Sequence, residues 1–448
     1  MKLLTKASFS PDVTDRERKN LQVAYQAACE GMVLLKNDGA LPFKTRKVAL
    51  YGPGASMTIK GGTGSGEVNE RHSVTILEGL ENRGFEITTH SWIKDFEKGY
   101  AEAAAAYQEE KKKRVNFLKF GSIMNMLFDN FRAPIGRSIT EEDVTASDTD
   151  SCIYVLSRQA GEGCDRRAEK GDMFLTDEEK EAISFCAAHY ANFLLVINCG
   201  SAIDMSFAEE IPGINAILYF CQLGTEGGNA FADVISGVVS PSGKLSDTWA
   251  KQYSDLPFAN EYSYLNGDLE NEYYKEGIYV GYRYFDSFGV EPAYPFGFGL
   301  SYTDFSIRSA GVTLDRTKVT VKADVVNTGS AYSGREVAQL YVTAPNGQLP
   351  KAYQSLAAFG KTDVLEPGKH QLLELAFDLR QMASYREYDA CYVLEAGAYI
   401  LRLGNSSRNT IPVGTVYLEK DILVSRNDNV CTHDTPIDEL KADLFPEE

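Results

Sequence analysis

Short apolar runs alternate with helical patterns along the first two thirds of the chain. The apolar runs lie at 47–52, 152–157, 192–199 and 214–221. The helical patterns between them include 176–190 and 224–238. Strands that alternate with helices are typical of a mostly parallel sheet with helices packed on both of its faces. The pattern therefore predicts an α/β fold for this part of the chain.

Two further patterns help to place helices in this part. Residues 17–31 have amphipathic spacing, and the apolar run 32–35 that follows is a short strand or a helix end. Thr176-Asp-Glu-Glu179 resembles a capping box, with Thr176 as the N-cap and Glu179 three residues later. We therefore expect a helix to begin just after Thr176.

The pattern changes from about residue 305 to 420. Short alternating runs such as 319–326 and 339–343 are separated there by turns rich in Gly, Pro and Asn. This alternation is typical of an antiparallel β-sandwich of about 100 residues. We predict two folded units of different class, the second following the first.

A longer helical insertion is predicted between about 96 and 140. Its apolar side chains recur at intervals of three and four residues. They are Phe117, Phe120, Ile123, Met124, Leu127, Phe128 and Phe131. Such a stripe usually packs in a core or between domains. The alternative, a lid or a docking face for a further domain, remains open.

Polar, glycine-rich segments follow two of the predicted strands. Ser157–Arg166 follows the run at 152–156, and Lys60–Asn69 follows the run at 47–52. Because open α/β sheets bind ligands at the carboxyl ends of their strands, we expect both segments at one sheet edge. Glu162 lies between two glycines and is the first catalytic candidate. The alternative is that Glu162 only occupies a flexible surface loop.

These segments, with others in the same order, resemble family 3 glycoside hydrolases, the retaining β-glucosidases, β-xylosidases and related exo-acting enzymes. The strings that carry the resemblance are Glu30–Gly39 with Leu41-Pro42 after it, Lys60–Asn69, Ser157–Arg166, Pro241–Leu245, Tyr294–Tyr302, Asn327–Ser330, Gly334–Tyr341 and Ala396–Tyr399. The resemblance covers nearly the whole chain. It implies an α/β sandwich domain followed by an all-β, fibronectin type III-like (immunoglobulin-like) sandwich.

One part of the family pattern is missing from the sequence. Similar family members also have a (β/α)8 barrel with a nucleophilic aspartate in a Ser-Asp-Trp-like context, and no such string occurs here. A barrel needs about 250 residues, which the matching strings leave no room for. In some members the barrel comes last, so we predict the front portion of a permuted enzyme. The predicted division is 1–304 for the α/β domain, 305–420 for the fibronectin-like domain and 421–448 for a linker toward the absent barrel.

The resemblance also implies roles for single residues. Glu162 takes the position of the family's acid/base, which protonates the leaving oxygen opposite a nucleophile on the barrel. Retaining glycosidases hold these two carboxylates about 5–5.5 Å apart. From the residues alone, Asp165 and Arg166 are expected to form a local ion pair that orders the loop. The candidates for substrate binding are Ser65, Arg158 and Lys60.

The composition of the chain limits which binding partners and which cellular compartment we expect. A formal net charge of -18 argues against nucleic acid and anionic membranes. The eight cysteines include no CxxC pair, and most lie in or beside apolar runs, as buried thiols in a reducing compartment would. The five histidines have no metal-ligand spacing. We predict a cytoplasmic protein with no cofactor, metal, nucleic-acid or membrane partner.

Three functional hypotheses remain open. The first is a portion of a retaining, exo-acting β-glucosidase-like enzyme that supplies Glu162, acts on a β-linked oligosaccharide or glycoside and is inactive without its barrel. The second is a noncatalytic carbohydrate-binding or scaffold module. The third is an assembly in which a separate chain supplies the barrel and the nucleophile. A homo-oligomer is compatible with each of them.

Overall fold

The structure is a computed structural model that describes residues 12–64, 68–114, 131–159, 166–261, 265, 267–268, 270–430 and 435–443. The helices are α1 (Asp15–Gly31), α2 (Ile76–Asn82), α3 (His90–Arg114), α4 (Glu141–Ser147), α5 (Asp177–His189), α6 (Phe207–Glu210), α7 (Gly227–Ile235) and α8 (Tyr282–Ser287). None of the helices within these ranges combines the length and the apolar character that a membrane crossing needs.

The first sheet contains six strands. They are β1 (Val33–Asn37), β2 (Lys47–Tyr51), β3 (Glu86–Ile87), β4 (Ser151–Arg158), β5 (Asn192–Cys199) and β6 (Ala216–Tyr219). Their order is β1-β6-β5-β4-β2-β3, and every pair is parallel except β1 with β6. Side chains on both faces of the central strands are buried, as continuous apolar runs in a parallel sheet require.

Helices cover this sheet in two groups. One group contains α1, α2 and α7, and the other contains α3, which contacts β2, and α5, which contacts β4 and β5. The helices α2 and α7 approach closely where Gly79 meets Gly228, because a Cβ atom on Gly79 would lie 2.0 Å from the Gly228 backbone. The predicted capping box at α5 is confirmed, since Glu179 N donates to the Thr176 hydroxyl and Thr176 N donates to the Glu179 carboxylate.

The second unit is entirely antiparallel. Its strands are β7 (Phe305–Asp315), β8 (Lys318–Asn327), β9 (Val337–Thr343), β10 (Ser355–Lys361), β11 (His370–Asp378), β12 (Ser384–Arg386), β13 (Cys391–Leu394), β14 (Gly397–Ser406), β15 (Asn409–Leu418) and β16 (Ile422–Arg426). They form sheets of the order β10-β9-β14-β15, β11-β8-β7 and β12-β13-β16. Alternate residues of β8, from Val319 to Val325, are fully buried in a separate apolar core.

The predicted fold class is therefore confirmed: a mostly parallel sheet flanked by helices, followed by an all-β sandwich. The strand β16 lies within 421–448, the range for which the sequence predicts a linker. The predicted helical insertion begins with α3, which starts at His90. Of its apolar stripe only Phe131 is described, with its ring 5.3 Å from those of both Tyr100 and Tyr107; the other six residues of the stripe lie outside the described ranges.

Polar contacts join the two cores. The Lys244 ammonium donates to the Glu336 carboxylate at 2.8 Å and to the Gly299 carbonyl at 2.7 Å. Arg408 donates to the buried Asp286 carboxylate at 2.6 Å. The Lys244–Glu336 and Arg408–Asp286 pairs each connect the segment before β7 with the sandwich, so the two units pack against each other in a defined orientation.

Candidate functional site

The two glycine-rich segments leave the same edge of the sheet. Strands β2 and β4 are adjacent and parallel, with Ala49 opposite Cys152 and Tyr51 opposite Tyr154. The chain passes from β2 to β3 on one side of β2 and then returns to β4 on the other side. In open α/β sheets, the crevice at such a reversal of strand order is the usual place for a ligand. The expectation of a common edge is confirmed.

Between β2 and the glycine segment, Lys60–Asn69, the chain crosses directly over β4. Gly52 has a φ of 92°, and a Cβ atom there would lie 2.5 Å from the Val155 carbonyl oxygen. Two residues later, Gly54 N donates to the same carbonyl at 3.3 Å. Only glycine combines this left-handed backbone with so close an approach. The crossing brings the following residues to the carboxyl end of β4.

Asn198, near the carboxyl end of β5, fixes the segment just before Lys60. Its Oδ1 accepts from Ile59 N at 2.7 Å, and its Nδ2 donates to the carbonyls of Ile59 at 2.9 Å and Cys221 at 2.7 Å. Asn198 is fully buried. Sequence reasoning missed this residue, although an amide side chain near the end of the apolar run 192–199 was a visible signal.

The Lys60 side chain contacts residues close to it in the sequence. Its ammonium forms an ion pair with Glu70 and donates to the Val68 carbonyl at 3.2 Å. The Lys60 ammonium holds the pKa of Glu70 below its usual range. An ammonium has three donors, so at most one is left for a sugar hydroxyl. Ser65, the other candidate in this segment, lies outside the described residues.

A direct contact joins the two segments. Gln159 Nε2 donates to the Gly61 carbonyl at 3.2 Å. Gln159 is the last described residue before 160–165, which contains Glu162. Glu162 and Asp165 therefore lie outside the described residues. Gln159, near the start of their segment, is in contact with the glycine segment.

Arg158, the last residue of β4, faces inward. Its guanidinium donates to both Glu179 oxygens at 2.6 Å, to the Asp172 carbonyl at 3.0 Å and to the Ser157 carbonyl at 2.9 Å. Both members of the Arg158–Glu179 pair are buried. Four of the five guanidinium donors are thus used, and at most one remains for a substrate. The sequence predicted Glu179 as a capping residue, but no local pattern signalled its pairing with Arg158.

Arg166 anchors the other end of the same segment. It forms an ion pair with Asp172 and donates to the Ser201 hydroxyl and, at 3.3 Å, to the Ala202 carbonyl. Ser201 and Ala202 follow β5. Arg166 is therefore held against the loop that leaves the neighbouring strand.

Comparisons with known proteins agree with this architecture. The glycosyl hydrolase family 3 C-terminal domain matches residues 32–302, and a fibronectin type III-like domain matches residues 336–407. β-Glucosidase A of Butyrivibrio fibrisolvens is 32% identical over 467 aligned residues, covering 92% of this chain and 53% of that protein. β-Glucosidase of Ruminococcus albus is 35% identical, covering 87% of this chain and 40% of that protein.

A solved structure has the same arrangement over most of the chain. The crystal structure of a β-glucosidase from Paenibacillus barengoltzii superposes with a TM-score of 0.80 at 34% identity, covering 91% of this chain and 44% of that one. The chain thus spans about half the length of the curated relatives that it matches.

Proposed function

Because the chain belongs to the family 3 glycoside hydrolases, we propose that it forms the acid/base-bearing portion of a retaining, exo-acting β-glucosidase-like enzyme. Its substrate would be a β-linked oligosaccharide or glycoside. The nucleophilic aspartate would come from a (β/α)8 barrel, joined to this chain or supplied by another. On this proposal residues 1–304 and 305–420 are the two ancillary domains, and 421–448 leads toward the barrel.

The observation that carries this proposal is the meeting of the two segments at the carboxyl edge of the sheet. Gln159 donates to the Gly61 carbonyl, and the strands that precede both segments flank the reversal of strand order. A sugar placed in this crevice would be near both segments. That placement supports a common role for Glu162 and Ser65 around one glycosidic bond.

Within this site Glu162 is the proposed proton donor to the leaving oxygen. A barrel carboxylate about 5–5.5 Å away would attack the anomeric carbon and form the glycosyl-enzyme. Docking of the barrel would bury Glu162 beside a negative charge, and both effects raise a carboxyl pKa. Ser65 would hydrogen-bond the sugar, and Lys60 and Arg158 would each offer at most one donor.

The first test compares the chain alone with the chain joined to a family 3 barrel domain. The 448-residue chain alone is expected to hydrolyse aryl β-glucosides only at the background rate, because it lacks the nucleophile. The joined protein is expected to be active. Turnover by the chain alone that survives Glu162→Gln would contradict the proposal.

The second test uses leaving groups to identify the acid. In the joined protein, Glu162→Ala should slow hydrolysis of alkyl glucosides by about 10²–10⁴-fold. The kcat/KM for dinitrophenyl glucoside, whose leaving oxygen needs no proton, should be far less affected. Azide should raise kcat on this substrate, because it attacks the glycosyl-enzyme that the missing base no longer helps water to hydrolyse. Glu178→Gln, on the exposed first turn of α5, is the matched control and should change neither rate.

A noncatalytic carbohydrate-binding or scaffold module is the other outcome. It would be supported if the joined protein stayed inactive on all β-glycosides while the 448-residue chain bound an oligosaccharide measurably by calorimetry.

A further inference from the structure

Asp172 receives hydrogen bonds from both ends of the segment that contains Glu162. Its carbonyl oxygen accepts from Arg158 Nε at 3.0 Å and from Arg166 Nη2 at 3.3 Å. Its carboxylate pairs with Arg166 and accepts from Arg167 N at 2.8 Å. One residue therefore binds the arginine that precedes the segment and the arginine that ends it.

Asp172 is itself held by a compact turn. Asp172 N donates to the Glu169 carbonyl at 3.3 Å, and Met173 N donates to the Arg167 carbonyl at 3.2 Å. The turn is attached to the loop after β5, because Asp204 N donates to the Met173 carbonyl at 3.0 Å. Backbone hydrogen bonds thus fix the position of Asp172.

Both carboxylate oxygens of Asp172 accept hydrogen bonds from the segment that it holds. Oδ1 accepts from Arg166 and Oδ2 from Arg167 N. The side chains of Asp172 and Arg166 are each only 20% exposed, so their attraction is less screened than that of a surface pair. These contacts fit a residue that acts through its neighbours.

We propose that Asp172 is a positioning residue that fixes the separation of Arg158 and Arg166, and thereby the placement of Glu162 against a bound glycoside. The inference rests on the proposed role of Glu162 for its catalytic consequence, but the structural part concerns Arg158, Arg166 and Asp172 alone. Asp172→Asn preserves the carbonyl and the size of the side chain while it removes the negative charge that Arg166 binds.

Hydrogen exchange of the complete 448-residue chain tests the structural part. In Asp172→Asn, peptides covering 158–168 should exchange about tenfold faster or more, because a charge-assisted contact is lost. Peptides from α5 should be unchanged. The control is Asp177→Asn, which removes an exposed partner of Lys170 and should leave 158–168 unaffected. If Asp172→Asn does not fold, Arg166→Lys, which loses the planar fork, serves for the same measurement.

Two exchange results would overturn the proposal. One is unchanged exchange in 158–168. The other is a similar rise over the entire chain, which would mark Asp172 as a general stabilising residue.

Activity of the barrel-joined protein tests the catalytic part. Asp172→Asn should lower kcat on alkyl glucosides by about tenfold or more, with little change in KM. It should change kcat/KM for dinitrophenyl glucoside, whose leaving oxygen needs no proton, by less than about threefold. In a Glu162→Ala background the same substitution should have no further effect. Additive losses would overturn the positioning role even with faster exchange. A Glu162→Ala protein without leaving-group dependence would instead refute the proposed function and leave the exchange result standing.

Discussion

Two ion pairs, one at the edge of the first sheet and one between the two cores, connect different parts of the chain. At the carboxyl edge of the sheet, Arg158 binds Glu179, which is 21 positions away. At the interface between the two cores, Arg408 binds Asp286, which is 122 positions away. The edge pair therefore fixes a loop to its own sheet, whereas the interface pair fixes one folded unit to the other.

This difference indicates how each region should respond to the loss of its ion pair by substitution. Loss of an edge pair should loosen the loops around the candidate site while the two cores stay together. Loss of an interface pair should weaken the coupling of the cores while the loops keep their contacts. The following substitutions are ordered from the largest expected effect to the smallest.

Arg158→Ala is expected to have the largest effect. It leaves the Glu179 carboxylate buried without its partner, which costs about 3–5 kcal/mol of unfolding free energy. Denaturant unfolding followed by circular dichroism measures the loss. Arg167→Ala, at a side chain that is 58% exposed, is the control and should cost less than about 1 kcal/mol. Equal losses of unfolding free energy in the two variants would show that the buried Arg158–Glu179 pair contributes no more than an exposed arginine.

Lys244→Met tests the interface. It leaves Glu336 buried without its ammonium partner, with an expected cost of about 3 kcal/mol. The characteristic result would be a thermal transition that separates into two, because coupling between the cores is weakened. Lys322→Met, which removes the exposed pair with Glu374 inside the sandwich, should preserve one transition. A single transition in both variants would contradict the assigned role of Lys244.

Gly52→Ala isolates the close crossing over β4. Gly39 has nearly the same φ, 93° against 92°, but nothing lies within 4 Å of a Cβ atom built there. Gly39→Ala should therefore cost only the left-handed strain, about 1–2 kcal/mol. Gly52→Ala should cost about 2 kcal/mol more, since its Cβ meets the Val155 backbone. Equal destabilisation of the two variants in urea would contradict the crossing.

The smallest effect is expected at His189, on the opposite edge of the sheet. Its Nδ1 lies 2.8 Å from the Phe185 carbonyl and its Nε2 lies 2.8 Å from the Glu141 carboxylate. The Phe185 carbonyl, and then Glu141, raise the pKa of His189. Because a raised histidine pKa stabilises the fold below the unfolded-state value of about 6.5, this stability is lost as pH rises through the folded value.

The comparison of wild type with His189→Gln measures this effect. The stability difference between the two proteins should be larger at pH 6 than at pH 8. At either pH, exchange in 158–168 should be the same in the two proteins. A difference that grows with pH would have the wrong sign for the contacts of His189.

Four of the six strands of the first sheet, β2, β4, β5 and β6, could be predicted because their runs are largely apolar. The run 192–199 coincides with β5, and 152–157 lies within β4. Thr176 could be placed because its capping partner is only three residues away. In each case the physical cause lies within one element, so a local pattern is sufficient.

The contacts around the candidate site could not be predicted in the same way. The sequence suggested that Arg166 pairs with its neighbour Asp165, which lies outside the described residues. It did not indicate the contacts of Arg166 with Asp172, Ser201 and Ala202. Asn198 reaches two loops that are separated along the chain. Such partners depend on which strands become neighbours, and no periodic pattern encodes that choice. The roles of Glu162, Ser65, Arg158 and Lys60 remain predictions.

The pairing of β1 has a consequence for how the protein is made. Val33 pairs with Tyr219, and Leu34 also forms an antiparallel bridge with Leu300. On the ribosome β1 is therefore synthesised long before either partner exists. Contacts between such distant positions form slowly, and an apolar strand that waits for them is exposed to wrong association. The apolar run 32–35 is thus the segment for which we expect the nascent chain to depend most on protection during translation.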